Sequence, residues 1–254
     1  MKPNILVIAG HDPSGGAGIH ADIEAIHSLG GFAATLITGL TVQNSRNVAG
    51  FELVSTDLLR RQAEALLADM DFAAVKIGMT GSPEIIDCIA EILDRLPDTP
   101  VVLDPVLVAE AGGSLSGESV PEALLEKLFP RAQLATPNLP EAHELGGARD
   151  TAEAGEKLLA TGCEAVLITG SHEDTPRVRN QLFQDNDTRH WEWPRLEGSF
   201  HGSGCTLASA CAAFVARGQP LHQAVESAQR YTDACLRRAW RAGTGQLILE
   251  RRPE

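Results

Sequence analysis

The chain predicts an α/β fold in which a mostly parallel central sheet is flanked by helices, and three observations point to it. Short apolar, β-branched runs at 4–9, 34–40, 73–77, 101–104, 134–136 and 165–169 alternate with longer amphipathic stretches. Those stretches lie at about 19–29, 57–68, 84–96, 121–129, 139–145 and 152–160, and such alternation implies parallel strands joined by crossover helices. The polar and glycine-rich segments follow strands, so they gather at one end of the sheet, where folds of this kind bind ligands. Late in the chain the rhythm changes. Runs at 178–183 and 190–193, separated by Gln184-Asp185-Asn186-Asp187, read as a short antiparallel hairpin, and helices at about 205–217 and 221–240 close the fold. No repeat, low-complexity tract or linker interrupts the pattern, so residues 1–254 read as one domain.

Taken in order, the strands deliver distinct chemistry. The first empties into Gly10-His11-Asp12-Pro13-Ser14-Gly15-Gly16-Ala17-Gly18, and the second into Thr41-Val42-Gln43-Asn44. The run at 101–104 leads into Asp104-Pro105-Val106, and the run at 134–136 into Thr136-Pro137-Asn138-Leu139-Pro140-Glu141. Before the penultimate helix stands His201-Gly202-Ser203-Gly204-Cys205-Thr206. Leu207, Ala208, Ala210, Cys211, Phe214 and Val215 continue it with no breaker before Gly218.

Composition narrows the function classes. Apolar residues make up 43% of the chain, enough for a large core. Aromatics at 4% are too sparse for stacking platforms, and a net charge of -13 argues against nucleic acid. An acidic protein that handles phosphates needs local donors or a divalent metal to offset its own field. The five cysteines form no C-x-x-C pair and leave an odd one out, which points to a reducing cytoplasm rather than a disulfide framework or a zinc site. The apolar run near the N-terminus is too short for a signal-peptide core, and no stretch is long enough to span a bilayer, so a soluble protein without membrane association is expected.

The glycine-rich segments match no common phosphate loop in full. Gly16-x-Gly18-x-x-Ala21 matches the dinucleotide fingerprint formally, but the strand ends too early and no acid follows at ribose-binding distance. A Walker A loop is absent. Gly202-Ser203-Gly204 reads either as a helix entrance whose amides wrap an anion or as a tight loop before a buried cysteine. In the first reading Cys205 stands beside the anion with its pKa lowered towards neutrality, suited to taking a proton from a substrate hydroxyl. Asp22 reads as a solvated acid near a helix N-terminus. Gln43 offers both a donor and an acceptor to a ring nitrogen and its amino neighbour, or is an ordinary loop residue. Asp104 and Glu141 are carboxylates on adjacent strand ends, placed for magnesium and a triphosphate or for helix capping. The histidines show no zinc-binding spacing.

Assembled in this order, these motifs resemble the bacterial hydroxymethylpyrimidine and phosphomethylpyrimidine kinases of thiamine biosynthesis, within the ribokinase-like superfamily. Val75-Lys76-Ile77-Gly78-Met79 belongs to the same series, and the resemblance covers nearly the whole chain. It implies a three-layer fold, ATP with Mg2+, a homodimer, and phosphorylation of 4-amino-5-hydroxymethyl-2-methylpyrimidine and then of its monophosphate. It also implies that Gln43 and Asp22 bind the pyrimidine in a pocket lined by Gly10, Met79 and Val106. Gly202, Ser203 and Gly204 would hold the transferred phosphoryl group, with Cys205 as the base. Asn138, Thr169, Ser203 and Gly204 would contact ATP, and Asp104 and Glu141 the metal. Two family lysines are replaced, in Thr169-Gly170-Ser171-His172 and in Gly243-Thr244-Gly245-Gln246, leaving Arg177, Arg179 or Arg241 as candidate substitutes. A pyridoxal or pyridoxine kinase and a catalytically silent pyrimidine sensor are the alternatives.

Overall fold

A computed structural model describes residues 2–107, 119–184 and 187–252. Asp185 and Asn186 of the expected hairpin turn lie outside the described residues. The chain runs β1 (Asn4–His11), α1 (Gly18–Ser28), β2 (Phe32–Gln43), β3 (Val48–Leu53), α2 (Thr56–Leu67), β4 (Ala74–Ile77), α3 (Pro83–Leu93) and β5 (Val101–Leu103). It continues through α4 (Val120–Ala123), β6 (Leu134–Ala135), α5 (Leu139–Gly146), α6 (Thr151–Leu159), β7 (Val166–Ile168), β8 (Arg177–Gln184) and β9 (Asp187–Pro194). It ends with β10 (Phe200–His201), α7 (Ser203–Ala216), α8 (Leu221–Arg237) and β11 (Leu247–Ile248).

Nine strands form one sheet in the order β3-β2-β1-β4-β5-β6-β7-β8-β9. The neighbours from β2 to β7 are parallel, while β3 at one edge and β8 and β9 at the other run antiparallel. The inner strands read as unbroken apolar runs because both faces are covered. Along β1, Leu6 and Ile8 join the core packed by α2, α3, α5 and α6, whereas Ile5, Val7 and Ala9 join the core formed with α1, α7 and α8. This two-residue alternation is the pleat itself. Local signals start the covering helices. Ser82 accepts from the Ile85 amide at 3.4 Å ahead of Pro83, and Asp150 accepts from the Ala152 and Glu153 amides at 3.0 Å.

The structure extends the expected second strand to Phe32–Gln43 and pairs it with β3, which the apolar pattern did not predict. That edge strand has only half-buried and exposed positions, so it carries no continuous buried apolar run. The helix expected at 121–129 is a short α4 followed by a π turn, Leu124–Leu128, and a 3-10 turn, Phe129–Arg131, consistent with Pro130 offering no amide to continue a helix. The last helix ends at Arg237 rather than 240, because the Trp240 amide turns to the Ile248 carbonyl, 2.9 Å away. From β1 the chain moves outward to β2 on one side and to β4 on the other, so the strand order reverses beside β1. A crevice opens at such a switch point.

Candidate active site

Above the carboxyl ends of the parallel strands lies a cavity of 520 Å³. Gly10, Gln43, Met79, Asp104, Val106, Asn138, Glu141, Thr169 and the run Gly202 to Cys205 all line it. The structure thus brings together the expected pyrimidine, phosphate, nucleotide and metal residues except Asp22, while the candidate arginines Arg177, Arg179 and Arg241 stay outside the cavity.

One end of the cavity is apolar with a single polar reader. Met79, Val106, Val48 and Phe51 form a small cluster of their own, and Thr38 fixes the Met79 carbonyl with a 2.6 Å hydrogen bond. Gly10 packs closely here, since a Cβ would sit 2.7 Å from the Met79 sulfur and the methionine would have to shift. Gln43 stands beside this floor at the end of β2, and no hydrogen bond engages its amide among the described residues. A flat heteroaromatic ring with polar edges suits such a wall.

The middle of the cavity is built from two loops joined by one carboxylate. Asp12 accepts from the Ser14 amide at 2.8 Å, the Ser14 hydroxyl at 2.9 Å and the Ala17 amide at 2.9 Å, and its Oδ2 lies 2.7 Å from His201 Nε2. Burial pushes the Asp12 pKa up, but the hydrogen bonds from His201 and Ser14 outweigh it and hold it near 2. A depressed carboxylate stabilises the fold above its ordinary range and loses that contribution as pH falls from about 4 towards 2. The same side chain therefore orders the glycine loop and anchors the residue before Gly202. Gly202 caps α7 in the left-handed region at φ 83°, so the first amides of a 14-residue helix face the cavity. The positive end of its dipole adds to their pull on an anion.

Beneath this entrance lies a charge cluster that corrects two expectations. Asp22 is not a solvated acid and does not line the cavity. It is fully buried on α1, 2.8 Å from Lys76 Nζ on β4, and accepts a 2.7 Å hydrogen bond from Ser209 on α7. Burial pulls the Lys76 pKa down, yet Asp22, with Cys205 and Asp104 further contributors, raises it above the ordinary value. Cys205 is corrected too. Burial pushes its thiol up to about 12, Lys76 opposing and Asp104 and Asp22 reinforcing, so the helix terminus does not bring it near neutrality. Cys205 in turn opposes the upward pull of burial on the Asp104 pKa.

The two expected metal carboxylates differ in their engagements. Glu141 completes a capping box with Asn138, accepting from its amide at 2.9 Å, and also accepts from the Leu107 amide at 3.3 Å, so it serves α5 and the cavity at once. Asp104 is 4% exposed, and its Oδ2 has no hydrogen-bond partner among the described residues. Asp104 and Glu141 both line the cavity, and two carboxylates, one with an oxygen that no protein donor engages, are a donor set that suits a hard divalent cation.

At the far end the cavity is walled by Trp193, Asn180 and Gln229. Gln229 Oε1 accepts from Asn180 at 2.9 Å and from Trp193 at 3.0 Å, while Asn180 accepts from the Gly170 amide at 3.1 Å. Asn138 and Thr169 are tied by an isolated bridge. Of the candidate arginines, Arg177 and Arg179 do not line this cavity, because Val178 and Asn180 between them take the cavity face of β8. Arg177 instead pairs with Glu192 at 2.8 Å. Arg241 lines a separate crevice with Arg46. The arginine that does reach the cavity wall is Arg195, which the sequence reading missed; it donates to the carbonyls of Ser171 at 2.8 Å, Thr175 at 2.6 Å and Glu173, bracing the loop after β7. Lys76 carried a legible signal, a lone cation inside an otherwise apolar strand. Arg251 near the C-terminus carried none.

Comparison with known proteins agrees with this geometry. The profile described as phosphomethylpyrimidine kinase matches residues 12–250. A hydroxymethylpyrimidine/phosphomethylpyrimidine kinase of Rhizobium meliloti is 40% identical, covering 97% of this chain and 95% of that protein. One of Escherichia coli is 37% identical over 93% and 91%. A bifunctional thiamine biosynthesis protein of Geobacter sulfurreducens is 38% identical, and there the match covers 96% of this chain but 51% of the longer protein. Among solved structures, a Bacillus subtilis pyridoxal kinase in complex with ADP superposes with TM-score 0.90 at 27% identity, covering 99% of this chain and 98% of that one. A Clostridium difficile phosphomethylpyrimidine kinase gives 0.81 at 34% identity, covering 92% and 100%.

Proposed function

This chain belongs to the phosphomethylpyrimidine kinase family, and from that membership we propose that it transfers the terminal phosphoryl group of ATP to 4-amino-5-hydroxymethyl-2-methylpyrimidine and then to the resulting monophosphate. The observation that carries the reading is the single cavity in which an unengaged Gln43 amide over an apolar floor, the α7 entrance, and the Asp104 and Glu141 carboxylates succeed one another. We further propose that residues 1–254 work as one cytoplasmic kinase domain. No helix among the described residues is long and apolar enough to cross a membrane. A homodimer is proposed on the family resemblance, and the exposed Leu40 and Val42 of β2 offer apolar surface for it.

In this mechanism Gln43 reads the ring nitrogen and its amino neighbour while Met79 and Val106 pack against the ring, which directs the hydroxymethyl group towards α7. The first amides of α7 receive the transferring phosphoryl oxygens, and Asn138 and Thr169 contact the nucleotide. Asp104 and Glu141 would hold Mg2+, which supplies charge neutralisation when bound. Phosphoryl transfer passes through a loose transition state, so positioning and charge stabilisation dominate. The Cys205 thiol keeps its proton at neutral pH and serves as a small polar group at the helix start rather than as a ready thiolate.

Two outcomes check these roles. Gln43→Leu is expected to weaken pyrimidine binding by about 1 to 3 kcal/mol, since a buried polar edge of the ligand loses its partner, while ATP binding stays unchanged. Calorimetry with equal pyrimidine affinity in variant and wild type would remove Gln43 from the site. Cys205→Ala is expected to lower kcat by less than about tenfold. A loss of about a hundredfold, with the rising limb of the kcat profile abolished, would restore the thiol as the general base.

The reaction itself is tested by following ADP release with the two pyrimidines and pyridoxal as acceptors. Preferred turnover of the pyrimidines supports the proposal. Pyridoxal kinase activity is the second reading, favoured by superpositions with TM-scores of 0.90 and 0.91 on pyridoxal kinases, and faster turnover of pyridoxal would select it. Binding of the pyrimidines without turnover would mark a silent sensor.

A further inference from the structure

Arg251 is 1% exposed, near the end of the chain, and its guanidinium reaches three separate elements. Nε donates to Thr206 Oγ1 at 2.7 Å, Nη2 donates to the Gly16 carbonyl at 2.5 Å, and Nη1 lies 3.2 Å from Glu24 Oε2 on α1. Thr206 passes the contact on, because its hydroxyl donates at 2.7 Å to the Gly202 carbonyl. The backbone of Arg251 is itself held, its carbonyl accepting from Tyr231 Oη at 2.8 Å and from the Ser28 hydroxyl.

Placing a guanidinium here is costly if packing is the only gain, since an apolar side chain would fill the space without giving up hydration. Its one ionic partner among the described residues, Glu24, is partly exposed. The other two acceptors belong to the loops that shape the anion site: Gly16 in the glycine loop and, through Thr206, Gly202 at the α7 cap. A planar fork with five N–H groups can hold three oxygens in fixed directions at once, and an ammonium cannot reproduce that geometry. The Gly202 position is correspondingly tight, for a Cβ there would lie 2.8 Å from Arg251 Nη2 and 2.0 Å from the Gly16 carbonyl oxygen.

We infer that Arg251 is a positioning residue for phosphoryl transfer: it fixes the Gly202 carbonyl and the glycine loop so that the first amides of α7 face the cavity, and it adds a fixed positive charge below them. This rests on the kinase reading above. It also supplies a cation close to the anion site, in a chain where Thr169 and Thr244 stand at the positions of two expected lysines.

The test compares Arg251→Met, Arg251→Lys and Tyr231→Phe with the wild type. Arg251→Met is expected to lower kcat by about 30-fold or more, as a small misplacement of the anion site would, with KM for the pyrimidine changed by less than about threefold. Its preference for ATP over ADP, read by calorimetry without turnover, is expected to shrink, and Arg251→Lys to recover part of both. Tyr231→Phe loosens the same segment without touching the guanidinium, so it is expected to lower the thermal midpoint while leaving kcat and the ATP-to-ADP ratio unchanged. The inference is overturned if Arg251→Met keeps wild-type kcat and nucleotide preference, or if Tyr231→Phe reproduces both losses. Should Arg251→Met not fold, Arg251→Lys is read against the same criteria. A wild-type protein that binds nucleotide but phosphorylates no pyrimidine sinks the kinase reading, and the ATP-to-ADP comparison then still decides Arg251.

Discussion

Gly202→Ala is expected to lower kcat by about a hundredfold or more, because it strikes the amides that receive developing charge. Two physical costs coincide at this residue. Its φ of 83° lies where an L side chain is strained by roughly 1 to 2 kcal/mol, and the new Cβ would stand 2.0 Å from the Gly16 carbonyl oxygen, so the two loops must part. Their parting also disturbs the Asp12 and His201 contact that joins them. Gly30→Ala is the matched control, since it carries the same left-handed strain at φ 78°, with nothing within 4 Å of the new Cβ and no place in the cavity lining. Steady-state kinetics on both variants, with thermal unfolding to confirm folding, checks the contrast. A Gly202→Ala enzyme within threefold of wild type would mean that the left-handed cap is not what orients the amides.

Much of the fold was legible because its periodicities are strong. Continuous apolar strands, alternating with amphipathic helices, specify a parallel sheet covered on both faces, and every inner strand stands where that pattern places it. The missed strands share one cause. β3 is half-exposed at the sheet edge, and β10 and β11 are two-residue pairs, so their existence depends on backbone partners distant in sequence rather than on their own apolar content. The helix expected at 121–129 failed for another reason, as tertiary packing accommodates a π turn that leads straight into Phe129-Pro130-Arg131.

The site divides along a similar line. Cavity-lining residues at or just after strand ends, such as Gln43, Asp104 and Glu141, were visible because strand-end position is itself a sequence property. Residues buried below the cavity floor were misread or missed. Asp22 looks solvated in sequence because an acid near a helix N-terminus usually is, and only the packing of β4 and α7 against α1 buries it against Lys76 and Ser209. Cys205 was placed correctly but given the wrong charge, since dipole reasoning omits the desolvation that dominates its environment. Arg251 lies 235 residues from the glycine whose carbonyl it holds, a separation across which local pattern carries no information.

Asp104→Asn is expected to separate stability from activity, the activity falling by about 10² to 10³ while the folded state becomes more stable. Activity falls because the variant loses the carboxylate that, in the proposed mechanism, helps hold the cation at the phosphate groups. Stability rises because burial, against the opposing pull of Lys76, lifts the Asp104 pKa to about 6, so the ionised carboxylate at neutral pH is a cost to the fold. The sign follows from proton counts. Between about pH 4 and 6 the folded state binds more protons at this group than the unfolded state, so its contribution to stability falls as pH rises through that window. Removing the ionisable group is therefore expected to gain about 1 to 3 kcal/mol at pH 7 and nothing comparable at pH 4. Urea denaturation of both proteins at the two pH values reads this directly. A stability difference that is flat with pH would show that Asp104 does not titrate in that window. A variant that retains wild-type turnover would remove Asp104 from the phosphate end of the site and leave Glu141 there alone, its carboxylate already shared with the Asn138 and Leu107 amides.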